Sequence, residues 1–253
     1  MNFRERQFLF EELVRRDFKK KYKRSILGIG WSALSPMMTL AVLWFVFSQF
    51  FGRSMEHFTT YLLCGNVLFT YFSDGTREGM VSLRANASIY SKVKVPKFLF
   101  LLSKNIQVLI NFSLSLAIVI AFALSDRIAV GWHWLLLLYP IVTLTLLNIG
   151  IGAVLSAFFV FFDDMFHLWN VFVQLIMYGS AIFYPVACLP SEFQMALACN
   201  PVYRHIAYFR EVLIAQAIPS VEDHLILLGT SLLAVLAGFW MYRRYDSEFL
   251  YYV

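Results

Sequence analysis

Residues 15–24 read RRDFKKKYKR, and seven cations in ten positions make this the densest charge in the chain. Guanidinium and ammonium groups at that density hold phosphates or the headgroups of anionic lipid. A second candidate is Asp163-Asp164 in FFDDMFH, residues 161–167. Adjacent carboxylates can hold a metal-bound sugar nucleotide, but no further ligand stands near them. A tight turn with an N-cap for the next helix is the better reading. Other chemistry is missing from the sequence. It has no G-x-x-x-x-G-K-[ST] phosphate loop, no H-E-x-x-H helix and no G-x-S-x-G elbow. His57, His133, His167, His205 and His224 are scattered and read as interfacial or packed. Cys64, Cys188 and Cys199 lack metal spacing. A disulfide between Cys188 and Cys199 is chemically possible if both lie on one outer loop. Free thiols packed as small apolar groups are the preferred reading.

The elements that position these residues are greasy. Of the 253 residues, 60% are hydrophobic and 15% charged, against about 25% charged in a soluble domain. No Asp, Glu, Lys or Arg occurs in 25–52, 58–73, 105–125, 128–162, 165–191 or 224–242. A helix crosses the hydrocarbon layer with about 20 apolar residues. The expected fold is therefore an all-α membrane protein with six transmembrane helices. They fall near Trp31–Phe51, Phe58–Phe72, Phe98–Leu124, Trp132–Phe161, Phe166–Val186 and Leu225–Tyr242. The N-terminal segment carries charges of both signs and no apolar core with a small-residue cleavage site, so it does not read as a cleavable signal.

Six crossings put both termini on one side. Seventeen Lys and Arg residues fall on that side and four (Arg53, Arg127, Arg204 and Arg210) on the other. The positive-inside bias places both termini in the cytoplasm. The same placement accounts for the net charge of +5 without nucleic acid.

The basic cluster is also amphipathic. Phe3, Phe10, Val14, Phe18 and Tyr22 share one broad helical face, with Glu12, Arg16, Lys19 and Lys23 opposite. Such a helix lies in the membrane interface and touches anionic lipid. Gly28 and Gly30 let the chain turn into the first crossing, where Trp31 takes an interfacial position.

Two further segments are irregular. RANASIYSKVKVPK (84–97) mixes small, apolar and basic residues and ends at Pro96, which disfavours helix at Val95. A short helix at about Leu83–Tyr90 is expected across the membrane axis. Ile89 and Tyr90 then meet either lipid headgroups or a cytoplasmic partner. The segment 187–222 is too apolar for a solvated loop and too charged for one crossing. Its prolines divide it into pieces at about Ser191–Ala198 and Val202–Ala217. Two short re-entrant helices dipping into the outer leaflet satisfy their backbone internally and suit a gate.

Together these pieces resemble the permease subunit of type-2 ABC exporters, in the branch that exports O-antigen, capsule, teichoic acid and related glycans. The resemblance runs through Arg16-Asp17, Tyr22-Lys23-Arg24-Ser25, Leu27-Gly28-Ile29-Gly30-Trp31-Ser32 and Pro36. It continues at Asn86-Ala87, Lys92-Val93 and Pro96, then at Ser180-Ala181-Ile182-Phe183-Tyr184-Pro185 and Asn200-Pro201. The family often has Arg-Asp where this chain has Asp163-Asp164, and Asn where it has Ser35, so no lipid-phosphate role is carried over to that turn.

The resemblance implies a homodimer of a single transmembrane domain (1–253) in the bacterial cytoplasmic (inner) membrane, paired with two ATP-binding cassette subunits. This chain would be no enzyme and hold no cofactor. ATP and Mg would belong to the partner. Segment 84–95 would couple to it through Arg84, Asn86, Ile89, Tyr90 and Lys92. The cargo implied is an undecaprenyl-diphosphate-linked glycan. Helix 3–24 would stand at the entrance, its Arg15, Arg16, Lys19 and Arg24 steering the diphosphate, and 191–217 would form the outer gate helices. Sugar rings stack their C–H faces on aromatic rings, so Tyr61, Phe69 and Tyr184 are the expected glycan path. Two alternatives remain open: an exporter of small hydrophobic compounds and a membrane-bound transferase of lipid-linked sugars. The transferase would need a clustered acid–base constellation that the sequence lacks.

The topology is directly testable. Single cysteines at Ser91 and Ser191, in a background without Cys64, Cys188 and Cys199, are expected to label from opposite sides of the membrane. Labelling of both from outside intact cells would end the six-span arrangement.

Overall fold

Long apolar stretches satisfy their backbone in hydrocarbon by coiling on themselves. Among the described residues every regular element is helical. The computed structural model describes residues 3–22, 28, 30–52, 55–93, 95–246 and 248–250. Helix α1 (Phe3–Tyr22) precedes α2 (Gly30–Phe51), α3 (Phe58–Ala85), the short α4 (Ala87–Tyr90) and α5 (Phe98–Ser125). A 3-10 turn at Trp132–Leu137 leads into α6 (Leu138–Phe161), and α7 (Met165–Tyr178) follows. The chain ends with α8 (Ser191–Ala198), α9 (Pro201–Leu213), α10 (Val221–Tyr245) and a 3-10 turn at Glu248–Leu250.

Among the described residues four segments are long and apolar enough to cross a membrane: Gly30–Phe51, Phe98–Ser125, Trp132–Phe161 and Val221–Tyr245. Helices α3 and α6 form the centre, with α5 against α3 and α10 against α6. The centre closes on small residues, as membrane bundles do. A Cβ built on Gly79 of α3 would stand 2.9 Å from the Gly152 Cα of α6. Helix α2 is the least covered crossing, with 6% of its most apolar window buried.

The structure differs from the sequence expectation in four places, each with a physical cause. The second apolar stretch does not end at Phe72, because α3 runs on to Ala85. No proline interrupts it, and its charges find partners. Lys104 Nζ donates to Glu78 at 3.0 Å and Arg77 donates to Asn170 at 2.9 Å. The short helix expected at Leu83–Tyr90 is divided at Asn86, whose φ of −117° and ψ of 13° leave the helical region. Its amide donates to Ser82 O at 2.8 Å.

Helix α7 stops at Tyr178 rather than Val186, since Gly179 follows and Ala181 is left-handed with φ 47°. At its 14 residues it is about 21 Å long, shorter than the hydrocarbon layer. Helix α9 ends at Leu213 instead of Ala217, with Gln216 left-handed at φ 54° ahead of Pro219. The Ser191–Ala198 helix is found with the expected bounds.

Candidate functional site: a buried arginine clasp and a charged node

At one end of the bundle, α9 enters the core. Asn200 caps it, accepting from Val202 N at 2.9 Å, with Pro201 in the first helical position. The Asn200 amide also donates to Gly179 O at 2.7 Å and Ser180 Oγ at 3.0 Å. Asn200-Pro201 and the segment from Ser180 are therefore one structure, twenty residues apart in sequence.

Arg210 holds that structure to α3. Its side chain is 8% exposed. It donates to Tyr61 O at 2.9 and 3.2 Å, to Ala181 O at 2.9 Å and to Ile182 O at 3.1 Å. Its guanidinium carbon stands 3.4 Å from the centre of the Tyr61 ring, a cation–π contact. Gly65 makes the room, since a Cβ there would meet the guanidinium at 2.4 Å. The rigid fork of arginine suits this task because it reaches three carbonyls at once.

Two residues expected on the glycan path belong to this clasp. Tyr61 Oη donates to Tyr184 O at 3.0 Å, and Tyr184 Oη donates to Tyr178 O at 2.6 Å. Phe69 is buried and tilts against Phe72, apart from the other two. Tyr61 thus braces the bend, and no ring contact joins Phe69 to Tyr61 or Tyr184 among the described residues. Arg210 was visible in the sequence only as a basic residue among the apolar ones of the second gate piece. It shares α9 with Arg204, and its helical spacing from Ile206 and Leu213 on the apolar face was the signal.

At the other end, α1 seats on α5 and α4. Leu13, Tyr90, Val95 and Phe100 bury one another, with Leu9 and Ile89 at the margin. Tyr90 is 5% exposed, its ring 6.1 Å from that of Phe100. Ile89 is half-buried, while Lys92 and Val93 are exposed. Val93, which enters the sequence reading only through the resemblance, is a large exposed apolar side chain of the segment.

A charged node ties the same elements. Asp17 is 4% exposed. It accepts from Arg16 at 2.7 Å, and Arg16 also donates to Asn86 Oδ1 at 2.7 Å. Gln107 of α5 donates to Asp17 O at 3.1 Å, and Lys104 stands 3.8 Å from the Asp17 carboxylate. Arg16 is therefore neutralised and committed to Asn86. Arg15, 3.8 Å from Glu12, and Lys19 remain exposed on α1. Arg24 lies outside the described residues.

Arg84 pairs with Asp163, and its guanidinium lies 5.1 Å over the Phe159 ring. This corrects the expected capping turn. Asp164 holds the N-cap position of α7 but its side chain makes no cap bond, and Asp163 instead faces Arg84. The Arg84 hydrogen bond holds the Asp163 carboxyl below its ordinary range. Both groups are exposed, so the pair aligns α3 with the α6–α7 turn and adds little stability. Lys97 donates to Asp246 at 2.9 Å and lies over the rings of Tyr90 and Phe249, folding the C-terminal turn back beneath α4. Cys188 and Cys199 are both free and exposed, and Cys64 is free and buried. No group of three or more metal-ligating side chains occurs among the described residues.

The clasp predicts a large effect from a mild change. Arg210→Lys keeps a charge but has one ammonium for three separate carbonyls, and an unpaired buried polar group costs about 1–3 kcal/mol. The variant is expected to reach the membrane at reduced yield and to lower the melting temperature of the purified protein. A melting curve that matches the wild type would show that the carbonyls do not depend on Arg210.

A chain of membrane-length helices, with an amphipathic helix pinned to a short intervening helix, meets known proteins along nearly its whole length. It is 24% identical to the O-antigen export system permease protein RfbA of Klebsiella pneumoniae, covering 96% of this chain and 95% of that one. It is 23% identical to the protein of the same name from Myxococcus xanthus, over 95% and 94%. It is 21% identical to the polysialic acid transport protein KpsM of Escherichia coli, again over 95% and 94%. Residues 9–214, which hold the charged node, the four-residue α4 and the arginine clasp, match the ABC-2 type transporter, and the chain belongs to that family of membrane transport subunits.

Proposed function

We propose that this chain is the membrane-spanning subunit of an ATP-driven exporter that moves a lipid-linked polysaccharide from the cytoplasmic to the outer side of the membrane. The observation that carries this reading is end-to-end similarity to export permeases named for O-antigen and to one named for polysialic acid. Two copies pair with two ATP-binding cassette subunits, which hold the ATP and Mg. The uncovered face of α2, with Met38, Val42, Phe45 and Phe50 exposed, supports pairing of two copies there.

In this reading the chain is one transmembrane domain with six crossings. Helix α3 and the short α7 with its irregular continuation supply the two beyond the four long apolar helices. The seventeen-to-four distribution of cations supports cytoplasmic termini. Helices α8 and α9 dip into the outer leaflet. The exposed side of α4 and its continuation, with Ile89, Lys92 and Val93, meets the ATP-binding partner. Arg84, Asn86 and Tyr90 position that surface from behind. The diphosphate of the carrier meets Arg15 and Lys19, because Arg16 is already paired.

Deleting the gene is expected to abolish surface glycan and to leave lipid-linked glycan inside the cell. Unchanged surface glycan together with raised sensitivity to a hydrophobic compound would replace this reading with a small-molecule exporter. The coupling surface has its own test. Burying an apolar side chain is worth about 1.5–3 kcal/mol, and an unpaired charge in its place is unfavourable. Val93→Asp is therefore expected to leave the permease in the membrane but to reduce co-purification of the ATP-binding subunit. Full co-purification and normal export would remove Val93 from the interface.

A further inference from the structure

A cavity of about 270 Å³ opens at the end of the bundle away from α1, where α8, α9 and the start of α10 meet. Arg204, Tyr208 and Glu211 of α9 line it, at the spacing of one helical face. Tyr203 stands on the same wall, Gln194 comes from α8 and Asp223 from α10. Ala207, one turn from both Tyr203 and Glu211, puts only a methyl group in the middle of that wall.

The wall is held in place by bonds within the protein. Arg204 Nε donates to Ala198 O at 2.8 Å and Arg204 Nη1 to Asp223 Oδ1 at 3.0 Å. The other Asp223 oxygen accepts from Ser220 Oγ at 2.7 Å. The guanidinium is therefore fixed by the end of α8 and the first turn of α10, with Nη2 outside both bonds. Tyr208 Oη lies 2.8 Å from His224 Nε2, and His224 Nδ1 lies 2.8 Å from Ser220 O. A carbonyl only accepts, so Nδ1 carries a proton, and in the neutral ring Nε2 accepts from the Tyr208 hydroxyl. That bond sets the orientation of the Tyr208 ring.

Glu211 differs from its neighbours. It is half-buried on the same face. Its backbone carbonyl accepts from Ala217 N at 3.2 Å, while among the described residues no side chain bonds its carboxylate. A carboxylate only accepts hydrogen bonds, so a group filling the cavity meets Glu211 with an O–H or N–H. Arg204, one face-step away, only donates. Two adjacent hydroxyls on one ring satisfy both, the first donating to Glu211 and the second accepting from Arg204 Nη2. The C–H face of the same ring can lie on Tyr203. The volume sits just below the range of drug-sized pockets, room for one ring with its hydroxyls and not for a chain. A ring with paired hydroxyls and an apolar face is a sugar unit.

We infer that this cavity binds one sugar unit of the exported glycan on the outer side, with Glu211 accepting from one hydroxyl, Arg204 donating to its neighbour and Tyr203 as the stacking face. This rests on the polysaccharide-export reading and on its assignment of α8 and α9 to the outer side. It adds a place for glycan that has already crossed, separate from the entrance at α1. A sugar held there resists slipping back while the ATP-binding subunits reset, and a site of one unit is weak enough to release it.

The test uses the purified permease with its ATP-binding subunit and glycan released from the cell's lipid-linked pool by mild acid, which leaves the diphosphate behind. The glycan carries a fluorophore at its reducing end. Benzoylphenylalanine at Gln194, exposed at the rim, or separately at Ala207, is expected to capture the tagged glycan on irradiation, and untagged glycan is expected to compete. The same group at Leu233, exposed on α10, is expected to capture none. Glu211→Gln is expected to raise the glycan concentration for half-maximal capture about tenfold, the loss of one hydrogen bond to a charged group, while the complex keeps its melting temperature. Equal capture in the variant would remove the site, and capture lost together with the melting temperature would make Glu211 a brace. If neither Gln194 nor Ala207 captures more than Leu233, while gene deletion abolishes surface glycan, the sugar site is wrong and the export reading stands. Calcium that raises the melting temperature of the wild type but not of Glu211→Gln, with no glycan captured, would make the cavity a cation site instead. If deletion leaves surface glycan unchanged, the sugar site falls with the export reading.

Discussion

A buried backbone carbonyl has no water to fall back on, and the irregular parts of this chain are arranged around that fact. Between Tyr178 and Pro201 the chain leaves helical geometry twice. The carbonyls released there are captured by Asn200, at Gly179 O, and by Arg210, at Ala181 O and Ile182 O. Arg210 also takes Tyr61 O from α3. A single guanidinium thereby fixes the bend after α7, the seat of α9 and the top of α3. Without these donors Gly179 O and Ile182 O would lose their side-chain partners, and Ala181 O would keep only the Tyr61 hydroxyl at 3.3 Å. Pro36 poses the same problem on a smaller scale, and Ser115 resolves it from the neighbouring helix.

At the opposite end several of the described charges are paired, so basic density is not all free charge. Asp17 is buried beneath α1 and gathers Arg16, Lys104 and the Gln107 amide around it. Arg16 in turn holds Asn86, the residue at which α3 breaks and α4 begins. Lys97 ties the C-terminal turn under the same corner. Ion pairs and packed rings thus join α4 to α1, α3, α5 and the C-terminal turn. Hydrophobic contact alone, between Leu13, Tyr90 and Phe100, would slide. The directional bonds from Arg16 and Gln107 fix the register.

Most of the helical layout was legible because hydrocarbon imposes a length and excludes charge. The apolar stretches around α2, α5, α6 and α10 follow from that rule alone, and proline spacing placed α8 and the start of α9. What the rule missed is instructive. It ended α3 at the first charged residue, Asp74, because it has no term for charges that find partners on a neighbouring helix, as Glu78 does in Lys104. It ran α7 on to Val186 because composition does not register the left-handed backbone at Ala181. At the site level, aromatic content suggested Tyr61 and Tyr184 as path residues, and it carried no sign that their hydroxyls also brace the bend after α7. The face of α9 that carries Arg204, Tyr208 and Glu211 was present in the sequence at helical intervals. Reading it as the wall of a cavity needed the knowledge of which helices meet it.

The two sets of cationic and acidic groups also divide the work of handling a lipid-linked glycan, on the export reading. Such a molecule is anionic at its diphosphate and, along its sugars, rich in hydroxyls. The chain offers cations where α1 lies at the membrane surface and, at the opposite end of the bundle, a face of α9 with a guanidinium, a carboxylate and two rings. Pairing Arg16 with Asp17 removes one cation from the surface but leaves Arg15 and Lys19 exposed there. On that reading the exposed Arg15 and Lys19 meet the diphosphate, while the paired Arg16 keeps holding Asn86 at the break between α3 and α4.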